Sequence, residues 1–169
     1  MSDTENRYLN RSDLNVQGLL KEKKLAKTIN IFACIGILSG ISASIVFYVK
    51  YKLLLTPILA INSSLIASMV IYINMQFLRD VWQIWTYKLK YWCVIGFILQ
   101  IMFSILFIVL IGLGIYHKDA LNAESHYVMS VWSFMNWKWS FVLFQRTRKY
   151  RSMFTRYSLI GVDSEVNSE

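Results

Sequence analysis

Four apolar stretches dominate the chain, and each is long enough to cross a lipid bilayer as a helix. They lie at about 29–49, 53–77, 92–116 and 127–144. A hydrocarbon core about 30 Å thick takes about 20 apolar residues in a helix. The connections between the stretches are short and leave no room for a second domain. The sequence therefore predicts an all-α integral membrane protein with four transmembrane helices in a bundle.

Composition agrees with a membrane protein. Of the 169 residues, 56% are hydrophobic and the only proline is Pro57, whereas a soluble domain is about 45–50% apolar. Residues 1–28 lack the apolar core of a cleavable signal, so the first span is expected to act as its own insertion signal. Both cysteines, Cys34 and Cys93, fall inside apolar stretches, so no loop disulfide is expected.

The distribution of positive charge predicts the orientation. Fourteen of the 18 lysines and arginines lie in the two terminal segments and the second loop. Because positively charged flanks stay on the cytoplasmic side, both termini are expected to be cytoplasmic. The predicted organisation is an N-terminal tail at 1–28, a membrane domain at 29–144 and a C-terminal tail at 145–169.

Small residues recur at helical spacing in the first two spans. Gly36, Gly40 and Ser44 form one row, and Ser64 and Ser68 form a second. Residues of this size let helix backbones approach closely. The row predicts close packing, most simply within one bundle.

Lys138 interrupts the fourth apolar stretch. Seven Val, Leu and Phe residues between 127 and 144 contribute about −3 kcal/mol to insertion, and a central lysine costs about 2.5 to 3.5 kcal/mol. This helix is therefore expected to rely on the other three. Two interpretations of Lys138 stay open: its side chain extends to the membrane interface beside an aromatic belt, or it faces a cavity and attracts an anion.

Candidate ligands for iron or for an anion lie at both ends of the fourth stretch. His117, His126 and Tyr127 belong to the third loop, and histidine and tyrosine are both axial ligands of haem iron. After the stretch comes "RTRKY", residues 146–150, whose cations suit carboxylates. Ordinary solvated histidines and ordinary positive flanking charge are the alternatives. The sequence contains no P-loop, no Ser-His-Asp arrangement and no C-x-x-C, so neither an enzyme nor a nucleic-acid partner is expected.

The segment "HYVMSVWSFMNWKWSFVLFQRTRKYR" resembles the haem-responsive-gene haem transporters, the small four-span haem permeases of animals. Its Val-Trp-Ser-Phe, Lys-Trp and terminal Arg-Lys-Tyr elements carry the likeness. In "MQFLRDVWQIW", Asp80, Trp82 and Trp85 are similar to a second family pattern. Arg146 and Thr147 stand where some members have Phe and Ala. The resemblance covers about half of the chain.

This resemblance implies that haem passes along three stations as a transported substrate, with no prosthetic group. His117 matches the station in the exoplasmic loop, and Arg148, Lys149 and Tyr150 match the station in the tail. The middle station falls on Asn74, a poor iron ligand; Tyr72 is two residues away, about 200° around the helix. Lys138 would meet a haem propionate on this route. The expected partners are haem and the lipid bilayer. Further copies of the chain are also expected, because a bundle of four helices is narrow for haem.

The C-terminal tail also contains a candidate sorting signal, in which a tyrosine precedes a bulky apolar residue by three positions. It consists of Tyr157, Ser158, Leu159 and Ile160. Together with the resemblance it predicts an endosome or lysosome membrane, with the plasma membrane as the alternative, and sorting adaptors as partners. The competing functions are a four-span structural or accessory protein and a small anion-channel subunit.

Overall fold

The computed structural model describes residues 3–52, 54–79, 86–118 and 125–166, and side chains at 17–52, 54–79, 88–118 and 125–153. These residues form four α-helices, and the all-helical fold predicted from the sequence is confirmed. The helices are α1 (Asp3–Tyr51), α2 (Leu55–Leu78), α3 (Thr86–Tyr116) and α4 (His126–Val166).

Three of the four helices are long and apolar enough to cross a membrane. In the part of the chain that the structure describes, these are Gln17–Tyr51, Leu55–Leu78 and Lys88–Tyr116. Their outward faces are strongly apolar, as a lipid environment requires; Leu38 on α1 and Ile108 on α3, for example, are 70% and 66% exposed. Among the described residues, α4 is not apolar enough over the length of a span to join them, so the fourth predicted span stays a prediction.

The outer helices extend beyond the predicted spans. α1 begins at Asp3 and α4 continues to Val166, whereas the apolar stretches cover only 29–49 and 127–144. Neither extension contains a proline, and lysine, glutamate and leucine favour helix. α1 ends where Lys52 adopts a left-handed conformation with φ of 51°, and Pro57 lies in the first turn of α2, where its missing N–H costs least.

α2 and α4 form the centre of the bundle. α1 packs against α2, α2 against α4, and α4 against α3. Side chains also join α1 to α4: a Cβ atom added to Gly36 would lie 2.6 Å from Cζ2 of Trp139. The buried core follows this order and runs from Ala33 through Val70 to Leu143.

A polar face explains why α4 is central although it is the least apolar helix. Buried side chains bond both neighbouring helices: the Ser133 hydroxyl donates to the Phe103 carbonyl of α3 at 3.2 Å, and Nδ2 of Asn136 donates to the Leu59 carbonyl of α2 at 2.8 Å. Inside a membrane, buried polar groups need such internal partners. These bonds hold α4 between α2 and α3.

The predicted row of small residues marks the α1–α2 contact. A Cβ atom added to Gly40 would lie 2.8 Å from the Ala60 carbonyl oxygen and would also overlap Ser64. The Ser64 hydroxyl lies 3.2 Å from the Ile37 carbonyl of α1 and donates to it. Ser44 is buried, but Ser68 is exposed and bonds only within α2. Gly40 and Ser64 thus bring α1 and α2 together, whereas Ser68 faces away from this contact.

Gly40→Ala is expected to destabilise the protein by about 1–3 kcal/mol, because the new methyl group meets backbone as well as side chain. Gly112→Ala is the matched control, since no atom lies within 4 Å of a Cβ at that position. There the better helix propensity of alanine predicts a gain of about 0.5–1 kcal/mol. Thermal melts of the two variants in detergent should move in opposite directions. Equal melting temperatures would mean that the helices are not in contact at Gly40.

Candidate functional site

Most of the candidate residues gather in two groups, one where α3 ends and α4 begins and the other farther along α4. We call one the histidine end (His117, His126 and Tyr127) and the other the basic end (Glu22, Asn74, Arg146, Lys149 and Tyr150). From His126 to Tyr150 the helix rises about 36 Å at about 1.5 Å per residue. This separation is longer than a hydrocarbon core of about 30 Å.

The histidine end brings together residues that the sequence separates by the third loop. His117 follows the end of α3, and His126 begins α4. Their ring centroids are 5.6 Å apart and their planes differ by 12°. Tyr127 packs beside them against Gly114, where an added Cβ would lie 3.0 Å from the tyrosine ring.

This pair of imidazoles suits a metal that brings most of its own ligands. Among the described residues, no group of three or more histidine, cysteine, aspartate or glutamate side chains is close enough to hold a bare metal ion. Haem iron needs only axial ligands from the protein, because the porphyrin supplies the equatorial nitrogens. His117 is exposed and His126 is partly buried.

The basic end is built around Glu22 of α1. Its carboxylate accepts from Nη1 of Arg146 at 3.0 Å and from Nζ of Lys149 at 2.6 Å. The Glu22 and Arg146 side chains are 10% and 7% exposed, whereas that of Lys149 is 52% exposed. A buried pair is strongly interdependent, because loss of one charge leaves the other unpaired. The Glu22–Arg146 pair therefore ties α1 to α4.

Tyr150 links α4 to α2 at the same end. Its hydroxyl donates to Oδ1 of Asn74 at 2.8 Å, and Nδ2 of Asn74 donates to Oδ1 of Asn30 on α1 at 2.9 Å. The Tyr150 ring stacks on Phe77 with centroids 4.0 Å apart. The residues matched to the middle and tail stations are thus in direct contact.

Burial also fixes the protonation state of Tyr150, which lies beyond the apolar part of α4. Desolvation raises its pKa to about 12, against the opposing effect of the Arg146 charge. At neutral pH the phenol therefore keeps its proton and donates it to Asn74. A tyrosinate ligand for iron would require loss of that proton and of the Asn74 hydrogen bond.

The remaining candidates lie on the outside of the bundle. Tyr72 is 44% exposed while Asn74 is fully buried, as the angle of about 200° between them predicts. Arg148 is exposed. Lys138 is also exposed, and its Nζ lies 5.1 Å from the ring centroid of Trp139. Within one copy of the chain, Lys138 therefore faces outward beside an aromatic ring, and both interpretations of it stay predictions.

Several predicted residues lie outside the described part of the chain. These are Asp80, Trp82 and Trp85, which follow α2. The side chains of the candidate sorting signal are also outside it, although its backbone belongs to α4. Their roles stay predictions.

The sequence reasoning missed Glu22, Asn30 and Phe77. A signal for Glu22 was present, because it is the only acidic residue in the lysine-rich segment 21–27 before the first apolar stretch. An isolated acid among bases at a membrane surface suggests a specific basic partner. No comparable signal identified Asn30 or Phe77.

The long apolar helices define a helical, multi-pass membrane protein. A similar relative is the Caenorhabditis elegans protein named Heme transporter hrg-1, which is 25% identical over 126 residues, or 71% of this chain and 65% of the relative. This match confirms the resemblance to the haem-responsive-gene haem transporters. No family model matches the chain, and no solved structure is similar to it.

Proposed function

We propose that this chain is a haem transporter that moves haem across a membrane to the cytosol. The observation that carries this proposal is a pair of histidines where α3 ends and α4 begins, together with a cluster of cations farther along α4, in a chain similar to a protein named as a haem transporter. Histidine suits the iron, and the cations suit the propionate carboxylates. Haem is the substrate and no resident cofactor is invoked.

The proposed route runs from the histidine end to the basic end. His117 receives haem, with His126 and Tyr127 beside it, and Arg148 and Lys149 accept it at the far surface. Tyr150 and Asn74 close the basic end through their mutual hydrogen bond. In a homo-oligomer, the exposed Lys138 would line the route between copies and meet a propionate there.

The proposed setting is a membrane of the endosome or lysosome, with both termini in the cytosol. The excess of lysine and arginine in the terminal segments supports this orientation. α4 is proposed as the fourth span because it packs between α2 and α3. The basic end then faces the cytosol, and transport proceeds from the lumen.

A haem titration of the purified protein, followed by the Soret absorbance, tests the histidine end. His117→Ala is expected to weaken haem binding about tenfold or more and to shift the band, because an axial ligand is lost. Lys118→Ala is the matched control, since Lys118 is the exposed neighbour of His117 and an ammonium group has no lone pair to offer to iron.

Two results would contradict the proposal. The absence of a saturable band in the wild-type protein would favour an accessory or anion-channel function. A band identical in the wild type and in His117→Ala would remove His117 from the route.

A further inference from the structure

Arg146 is the most deeply buried charged residue of the basic end. The residue is 6% exposed, and its guanidinium carbon lies 5.1 Å from the centroid of the Tyr150 ring. Glu22 engages only Nη1. The two other nitrogens, Nε and Nη2, are buried and have no hydrogen-bond partner among the described residues.

The two unpaired nitrogens form a specific recognition element. The N–H bonds of Nε and Nη2 point in the same direction and match the two oxygens of a carboxylate, which they bind through parallel hydrogen bonds. Buried donors without acceptors are unfavourable. We propose that the Nε/Nη2 edge of Arg146 is a receptor for one carboxylate of the transported ligand.

Charge at the basic end favours an added anion. Arg146 and Lys149 share the single carboxylate of Glu22, so this triad carries one uncompensated positive charge. One further carboxylate would neutralise it, and the low dielectric of a buried site strengthens that attraction. The planar edge selects a carboxylate, because an ammonium or an uncharged ester cannot accept two parallel hydrogen bonds there as an anion does.

The neighbouring aromatic rings indicate the kind of molecule that carries the carboxylate. Phe77 and Tyr150 are stacked beside the guanidinium with an interplanar angle of 9°. Phe77 and Tyr150 are only 3% and 1% exposed, so a flat aromatic ligand whose acid group reaches Arg146 packs on these rings only once the basic end opens. Because both nitrogens are covered in the present arrangement, the carboxylate binds when the basic end opens. This inference rests on the proposed function and assigns one propionate of haem to Arg146.

The test compares haem with its dimethyl ester, both titrated into the protein in nanodiscs of zwitterionic lipid. Both probes contain iron, so ligation at the histidine end affects them equally. The wild type is expected to bind the acid at least tenfold more tightly than the ester. Arg146→Lys keeps the charge opposite Glu22 but lacks the planar edge, so it should lower this ratio several-fold, while Arg148 and Lys149 still favour the acid. Arg151→Lys, an exposed arginine on the same helix, should leave the ratio unchanged.

A ratio near one in the wild type, or a ratio that Arg146→Lys leaves intact, would overturn the assignment of Arg146. If both probes bind and His117→Ala weakens them, the proposed function survives that result. If neither probe binds, both the function and the assignment fail. Should Arg146→Lys lose its cooperative melt, the double variant Glu22→Gln/Arg146→Met replaces it, because it removes both charges of the pair, and the same fall in the ratio is expected.

Discussion

Glu22→Gln is expected to destabilise the protein by about 3–5 kcal/mol, because it leaves the Arg146 guanidinium buried without a counter-charge. Arg146 is 6% exposed and its side chain lies against Glu22 and the Tyr150 ring. Water cannot replace the lost carboxylate without opening the contact between α1 and α4. Equilibrium unfolding in mixed detergent micelles, followed by tryptophan fluorescence, measures the change.

Two further variants make this result specific. Glu22→Gln/Arg146→Met replaces the pair by groups that need no counter-charge and should restore most of the stability. Lys149→Met removes the half-exposed partner of Glu22 and should change stability by less than about 1 kcal/mol, as exposed ion pairs do. Equal losses for Glu22→Gln and Lys149→Met would show that the carboxylate is solvated and not buried with Arg146.

Tyr150→Ala is expected to cost about 3–5 kcal/mol, since it removes a fully buried aromatic ring. The ring is 1% exposed and stacks on Phe77. Tyr150→Phe keeps the ring and removes only the hydroxyl that bonds Asn74, so it should cost about 1 kcal/mol. Thermal melts of both variants distinguish the contribution of the ring to stability from that of the hydroxyl.

The same two variants separate a structural role of Tyr150 from a role as an iron ligand. If the phenol only holds the basic end closed, Tyr150→Phe should bind haem with an unchanged Soret band. A band that shifts in Tyr150→Phe, at wild-type stability, would show that the hydroxyl binds iron in spite of its burial and its pKa of about 12.

Hydrophobicity alone predicted the helices α1 to α3, because spans facing lipid are apolar on most of their surface. It was least informative for α4. There Ser133 and Asn136 face neighbouring helices, so the residues that hold the helix in the bundle lower its apolar content. Lys138, on the exposed side of the helix, lowers the apolar content of α4 further.

The contacts of the basic end could not be predicted from the sequence, and the reason is geometric. Glu22 and Arg146 are 124 positions apart, and Tyr150 and Asn74 are 76 apart. Whether such residues meet depends on how each helix is rotated and how far it is displaced along its axis. The sequence specifies the angle between Tyr72 and Asn74 on one helix, but not which of them faces α4.

Proteoliposomes containing the purified chain, with a haem-binding reporter protein trapped inside, test the central claim most directly. Haem added outside should reach the reporter faster than in protein-free liposomes, and His117→Ala should slow delivery while Lys118→Ala does not. Delivery at the protein-free rate, from a preparation that binds haem and melts cooperatively, would contradict the account: the chain would then bind haem without transporting it.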